Sequence, residues 1–286
     1  MGKWYEQLED NKVKCTLCPN YCIIPEGKVG KCRARKNENG AVVPLGYGKI
    51  SSYALDPIEK KPLRFYHQGS YIFSVGGFGC NFRCPFCQNY RIAQEMPPLI
   101  DISVDELVDK VLEIEDNLGI AFTYNEPMIN IEFIIDVAKK LRPHGKKIVL
   151  VTNGYINPEP FKELVQHVDA MNIDLKAFNG NFYKKYCQGD LESVKEIIKI
   201  AAQHVHVELT TLLIEGHNTD MEEIEALAQW VAEIDKDMPL HLSRYFPAYK
   251  MKDPQTELDT MLNAQALAKK YLNRVVLGNV PFYLTM

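Results

Sequence analysis

The chain has no excess of positive charge: 33 Lys and Arg stand against 37 Asp and Glu, a net charge of −4. Proteins that bind nucleic acid need a basic field, so no nucleic-acid partner is expected. Long hydrophobic runs are missing too. No segment approaches the roughly 18 uninterrupted apolar residues of a membrane span. The opening Met-Gly-Lys-Trp-Tyr-Glu has neither the apolar core of a secretory signal nor the Ser or Thr of a myristoylation pattern. A cytoplasmic protein with no membrane partner is therefore expected. Cysteine, by contrast, is plentiful: there are eight, and seven fall in two tight clusters. The cytosol keeps thiols reduced, so clustered thiols there point to metal rather than disulfides.

At 286 residues, 46% of them hydrophobic, the chain suits one main domain with an appendage. Residues 1–70 carry Pro25, Gly27, Gly30, Gly40 and Pro44 and no sustained helical periodicity. They read as a cysteine-rich, metal-held N-terminal region. From residue 71 to 286 strand-like and helix-like segments alternate. Strands are expected at 71–75, 119–123, 147–152, 170–175, 204–213, 240–246 and 275–277. Helices are expected between them at 128–141, 158–168, 191–202, 221–234 and 256–271, and after Ser103, where Ser-Val-Asp-Glu forms a capping box. Alternation of this kind means parallel β/α units. The fold class is α/β, a partial (β/α)6-type TIM barrel, with an open doubly wound sheet as the competing architecture. Barrel chemistry sits at the C-terminal ends of strands.

Directly after the first of these strands comes Gly79-Cys80-Asn81-Phe82-Arg83-Cys84-Pro85-Phe86-Cys87, a C-x3-C-x2-C pattern. Iron-sulfur clusters usually take four thiolates, so three close cysteines leave one iron open to a ligand. Gly76, Gly77 and Gly79 let the backbone approach that ligand. Structural zinc, the alternative, normally has four closed ligands. The spacing, with Phe86 before the third cysteine, resembles the radical S-adenosylmethionine (SAM) superfamily. The resemblance implies a partial β/α barrel carrying a [4Fe-4S] cluster on Cys80, Cys84 and Cys87. SAM would bind the open iron and be split to a 5′-deoxyadenosyl radical.

Further segments resemble the activating-enzyme branch of that superfamily. Tyr124-Asn125-Glu126-Pro127 stands where the branch has Gly-Gly-Glu-Pro, Thr152-Asn153-Gly154 ends one strand, and Asp174-Leu175-Lys176 ends the next. The resemblance implies that Glu126 receives the SAM ammonium. Asp174 and Lys176 would handle its ribose and carboxylate, Thr152 and Asn153 would contribute to the site, and His241 would reach the cofactor from a late strand. The residues alone leave other readings open. Asp174 and Lys176 also suit an ion pair, His241 a hydrogen-bonded barrel histidine, and Asn153 a turn. His204 and His206 lie at the strand entry, the wrong end for chemistry.

Cys15-x2-Cys18-x3-Cys22-x9-Cys32 supplies four thiols, enough to close either a structural zinc site or a complete iron-sulfur cluster. Cys187 stands alone and reads as a packing residue. This N-terminus, with Leu-Ser-Arg-Tyr-Phe-Pro-Ala-Tyr-Lys-Met at 242–251, is similar to the AmmeMemoRadiSam-system radical SAM enzymes, relatives of pyruvate formate-lyase activating enzymes. That likeness implies an external electron donor such as flavodoxin or ferredoxin, and Memo-like and AMMECR-like proteins as partners. The protein or small molecule that donates hydrogen is left open. The rival is a non-catalytic metal-binding module, which requires a fourth ligand at the second cluster and no SAM binding.

Overall fold

Runs such as Ile120-Ala121-Phe122 and Ile148-Val149-Leu150 are apolar at every position, as suits strands buried on both faces of a parallel sheet. The computed structural model describes residues 2–281 and contains one eight-stranded sheet. Its strands are β1 (Ser52–Pro57), β2 (Tyr71–Gly76), β3 (Asn117–Phe122), β4 (Lys147–Thr152), β5 (Ala170–Asp174), β6 (His206–Leu213), β7 (Leu240–Arg244) and β8 (Val275–Gly278). They lie side by side in chain order, parallel from β2 to β8, with β1 antiparallel on the edge. Six helices join the successive parallel strands: α1 (Val104–Glu113), α2 (Ile131–Leu141), α3 (Pro158–Val165), α4 (Leu191–Ala202), α5 (Met221–Ile234) and α6 (Leu258–Ala268). Six strand-helix units followed by a seventh parallel strand make the partial barrel that the alternation predicts.

Local signals explain where several elements begin. The Glu106 N–H donates to Ser103 Oγ at 3.2 Å and the Ser103 N–H to Glu106 Oε2 at 2.7 Å, so both halves of the capping box form. Asp190 and Asp220 cap α4 and α5 with their side chains alone, each accepting an N–H of the first turn. The edge strand β1 has no counterpart in the sequence reading. Tyr53 and Leu55 are exposed, so its pattern lacks the buried apolar face that marks a strand. Its pairing with β2, not an apolar pattern, makes it a strand. The sheet thus takes its edge from the segment grouped above with the cysteine-rich region.

Two features tie that region to the barrel. Arg35 is 1% exposed and bonds both carboxylate oxygens of Glu132 on α2, at 2.9 and 3.0 Å. Beyond β1, the chain turns back across the sheet. Ile58 and Leu63 are fully buried against Ile72, Ala121, Val149 and Ala170, and the Pro62 carbonyl accepts from Asn172 Nδ2 at 2.9 Å. Among the described residues no helix is long and apolar enough to cross a membrane.

Candidate active site

The loop after β2 is held from several directions before any side chain reaches a ligand. Gly79 has a φ of +83°, and a Cβ there would overlap the Cys32 carbonyl, so only glycine fits. Asn125 clamps the same loop: its Oδ1 accepts from the Gly77 N–H at 2.9 Å and its Nδ2 donates to the Gly79 carbonyl at 3.0 Å. Tyr124 takes a left-handed φ of +69° and donates its hydroxyl to Asp56 Oδ2 at 2.6 Å. Lys61 Nζ donates to the same oxygen at 2.7 Å. Burial opposes ionisation of Asp56, but Lys61 and Tyr124 outweigh it and hold its carboxyl down to about 2. The pair standing where the related branch has two glycines is therefore structural bracing.

Cys80, Cys84, Cys87 and Phe86 all line one cavity of about 400 Å³. That size is typical of small-ligand sites. Burial pushes the Cys80 thiol well above its ordinary range and Cys87 up to about 11. Cys84 is raised first by a hydrogen bond with Cys187, then by burial. The Cys80 sulfur already receives the Phe82 N–H at 3.4 Å and Asn153 Nδ2 at 3.6 Å. Asn153 also donates to Asn81 Oδ1 at 2.9 Å.

The ends of β3, β4 and β5 supply more of the wall, and Thr210, Leu212 and Ser243 of β6 and β7 also line it. Glu126 is 2% exposed. Its Oε1 accepts from Thr152 Oγ1 at 2.7 Å and the Met128 N–H at 3.0 Å, and its Oε2 from the Asn153 N–H at 2.8 Å. Burial dominates these donors and raises its carboxyl to about 7. Asp174 and Lys176 face each other at 2.7 Å on the same wall. Burial lowers the Lys176 ammonium, but Asp174 beside it outweighs that and holds it well above its usual range.

Residues 74–231 match the sequence profile of the Radical SAM superfamily, more than half of the chain. The chain belongs to the radical SAM superfamily. It is 42% identical over 285 residues to an uncharacterized protein of Methanocaldococcus jannaschii, covering 97% of this chain and 84% of that one. It is 24% identical over 169 residues to the pyruvate formate-lyase-activating enzyme of Staphylococcus epidermidis, 55% of this chain and 67% of the relative. Among solved structures, SuiB of Streptococcus suis bound to S-adenosylmethionine superposes with a TM-score of 0.57 at 12% identity, over 70% of this chain and 48% of SuiB. The radical SAM chain is thus an enzyme related to the pyruvate formate-lyase activases, and its fold is the partial barrel of its neighbours.

Radical SAM membership implies a [4Fe-4S] cluster and SAM. The donor set fits that group: three thiols line one cavity, one sulfur receives two N–H donors, and an acidic and a basic side chain line the same cavity. Among the described residues, no three His, Cys, Asp or Glu side chains stand in metal-holding geometry. The sulfurs face a shared space rather than a single coordination point.

His241 is not brought to this cavity. It shares a register level with Asp174 and Thr210, but its Nε2 stands 2.6 Å from Glu208 Oε2. Glu208, fully buried, also accepts the Arg64 and Phe65 N–H groups at 3.0 and 2.7 Å and lies 3.0 Å from His206 Nε2. Burial opposes its ionisation, yet His206, His241 and the Phe65 N–H hold it down to about 2. Sequence reasoning passed over Glu208, Thr210, Ser243 and Asn81. A signal existed for the strand residues, since Asn172 and Asp174, and Glu208 and Thr210, put polar groups at every second position of β5 and β6. Asn81 gave none, being one loop asparagine among many. A separate groove of about 430 Å³ beside α2, lined by Trp4, Tyr47 and Glu132, shares no residue with the cysteine cavity.

Proposed function

We propose that the chain cleaves SAM reductively, with its cluster on Cys80, Cys84 and Cys87, and acts on a protein or small-molecule substrate. When bound, cluster and cofactor together supply one-electron scission of a carbon–sulfur bond, giving methionine and a 5′-deoxyadenosyl radical that abstracts hydrogen. The observation that carries this reading is the convergence of the three cysteines with Glu126, Asp174 and Lys176 on one cavity. An ionised carboxylate has about four acceptor positions. Protein donors take three on Glu126, which leaves one on Oε2 for an ammonium. Lys176 offers a charge-assisted contact to a ligand carboxylate, and Asp174 an acceptor for hydroxyls. Thr152 and Asn153 orient Glu126, and Asn153 also feeds the Cys80 sulfur. Phe86, packed against Phe182 at 5.8 Å, closes the apolar side. His241, bonded to Glu208 and off the cavity wall, is left out of this assignment.

Anaerobic reconstitution with iron and sulfide, followed by SAM and dithionite, should yield 5′-deoxyadenosine in the wild type and none in Cys80→Ala. Equal product from both would defeat the reading. The relationship to pyruvate formate-lyase activating enzymes supports a polypeptide target and flavodoxin or ferredoxin as electron donor. A glycyl radical signal on a partner chain, read by electron paramagnetic resonance, is the expected outcome. Deuterium passing from a labelled metabolite into 5′-deoxyadenosine would instead establish a small-molecule target.

A further inference from the structure

The function proposed above uses three of the eight cysteines, and four of the others line a different space, where their sulfurs, like those of the first set, do not stand in metal-holding geometry. Cys15, Cys18, Cys22 and Cys32 all line one small space of about 10 Å³, shut in by Leu17, Ile24 and Ile129. None is in a disulfide. Arg35 lines the same space, and its Nε–H is buried with no acceptor. Four thiolates around a dipositive core leave a net negative centre, and a buried guanidinium beside it is the complement such a centre needs. The terminal nitrogens of Arg35 are paired with Glu132, so only the Nε–H is left over; a buried N–H without a partner is costly in an apolar space and useful beside an anionic centre.

The cysteines are also fastened to the catalytic loop. Asn20, between Cys18 and Cys22, has its Nδ2 3.7 Å from the Cys18 sulfur and donates from it to the Asn81 carbonyl at 3.0 Å, next to Cys80. The Lys31 N–H donates to the Cys22 sulfur at 3.4 Å. Lys31 Nζ donates to Asn20 Oδ1 at 3.1 Å and to the Gln188 carbonyl at 2.7 Å. The Cys32 carbonyl lies against Gly79 itself.

We propose that Cys15, Cys18, Cys22 and Cys32 form a second, tetrathiolate metal centre that holds the loop from Gly79 to Cys84 in its working position. Binding releases the four thiol protons to solvent and involves no change of oxidation state in the protein. Two sources of the dipositive core share this chemistry, a single zinc ion and a [4Fe-4S] unit. Calling the loop catalytic rests on the function proposed above; the metal centre and its brace do not.

The test separates the two cysteine sets. In a Cys80→Ala/Cys84→Ala/Cys87→Ala variant, reconstituted anaerobically with zinc or with iron and sulfide, metal analysis should find about one zinc or about four iron per chain. Which metal is retained identifies the core. A Cys18→Ser/Cys22→Ser variant should lose that metal. Amide hydrogen exchange over residues 79–84 should then run roughly tenfold faster or more, without SAM in the experiment. Asn20→Ala, which leaves all four thiols in place, should keep the metal and still speed exchange over 79–84. The proposal is overturned if the triple variant binds neither metal, if Cys18→Ser/Cys22→Ser keeps it, or if exchange is unchanged in Asn20→Ala. Failure of SAM cleavage in otherwise metal-replete protein would count against the proposed function alone.

Discussion

A carboxyl buried at the mouth of a parallel barrel can serve a cationic ligand only if it ionises on demand. Glu126 sits at about 7 because burial outweighs its three donors. Below that pH the site must give up a proton before it can hold an ammonium. SAM affinity should therefore rise as pH increases toward 7, by about tenfold per pH unit on the acid side, and level off above it. Titration calorimetry on cluster-loaded protein between pH 5.5 and 8.5, values chosen to span about 7, would show this. Glu126→Gln should bind more weakly at pH 8 and show a flat profile, and a profile unchanged by the substitution would remove Glu126 from the cofactor site. The neighbouring Asp174–Lys176 pair has the opposite character. Asp174 holds the Lys176 ammonium above its usual range, so Lys176 stays charged through neutral pH.

At the scale of single elements, two sites should report how strongly local geometry is imposed. Ser103 supplies the N-cap of α1 through a complete capping box. Ser103→Ala should cost about 1 kcal/mol, measured by urea unfolding, with little effect on metal content. Gly119 makes a harsher demand. It pairs with Lys147 between β3 and β4, and a Cβ there would overlap backbone atoms of that strand. Backbone cannot move aside as a long side chain can. Gly119→Ala should destabilise the fold by about 3 kcal/mol, and a midpoint equal to wild type would mean that the two strands are looser than they stand here.

For the molecule as a whole, the decisive contacts run between segments far apart in sequence. Glu208 on β6 gathers His206, His241 and the N–H groups of Arg64 and Phe65, fixing the segment that turns back across the sheet. Its carboxyl is held at about 2, below the usual carboxylate range. A depressed carboxylate stabilises the fold above the unfolded-state pKa of about 4, and that stability is lost as pH falls toward 2. Acid unfolding of the wild type should carry this signature, worth about 3 kcal/mol. In Glu208→Gln it should be absent, with stability at pH 7 lowered by a similar amount because the buried His241 ring and the N–H groups lose their anion. Unfolding curves at pH 7, well above the depressed value of about 2, and again near pH 3 would check both halves.

The sequence by itself determined the elements and the cysteine-bearing loop, because those depend on short-range rules. Apolar runs alternating with amphipathic stretches make parallel β/α units, a capping box starts a helix, and C-x3-C-x2-C after a strand places three thiols at a strand end. The positions of Glu126, Asp174 and Lys176 at the ends of their strands were legible for the same reason. What the tertiary structure decided was everything set by contacts between distant residues. Strand β1 has no buried apolar face and is defined by its pairing with β2. His241 matches the strand-end pattern, yet its ring stands against Glu208, 33 positions away, and does not line the cavity. Tyr124 and Asn125 look like departures from a glycine motif until Asp56, Gly77 and Gly79 are beside them. A side chain's partner is chosen by distance in space, and no spacing along the chain encodes that distance once the loop between the two is long.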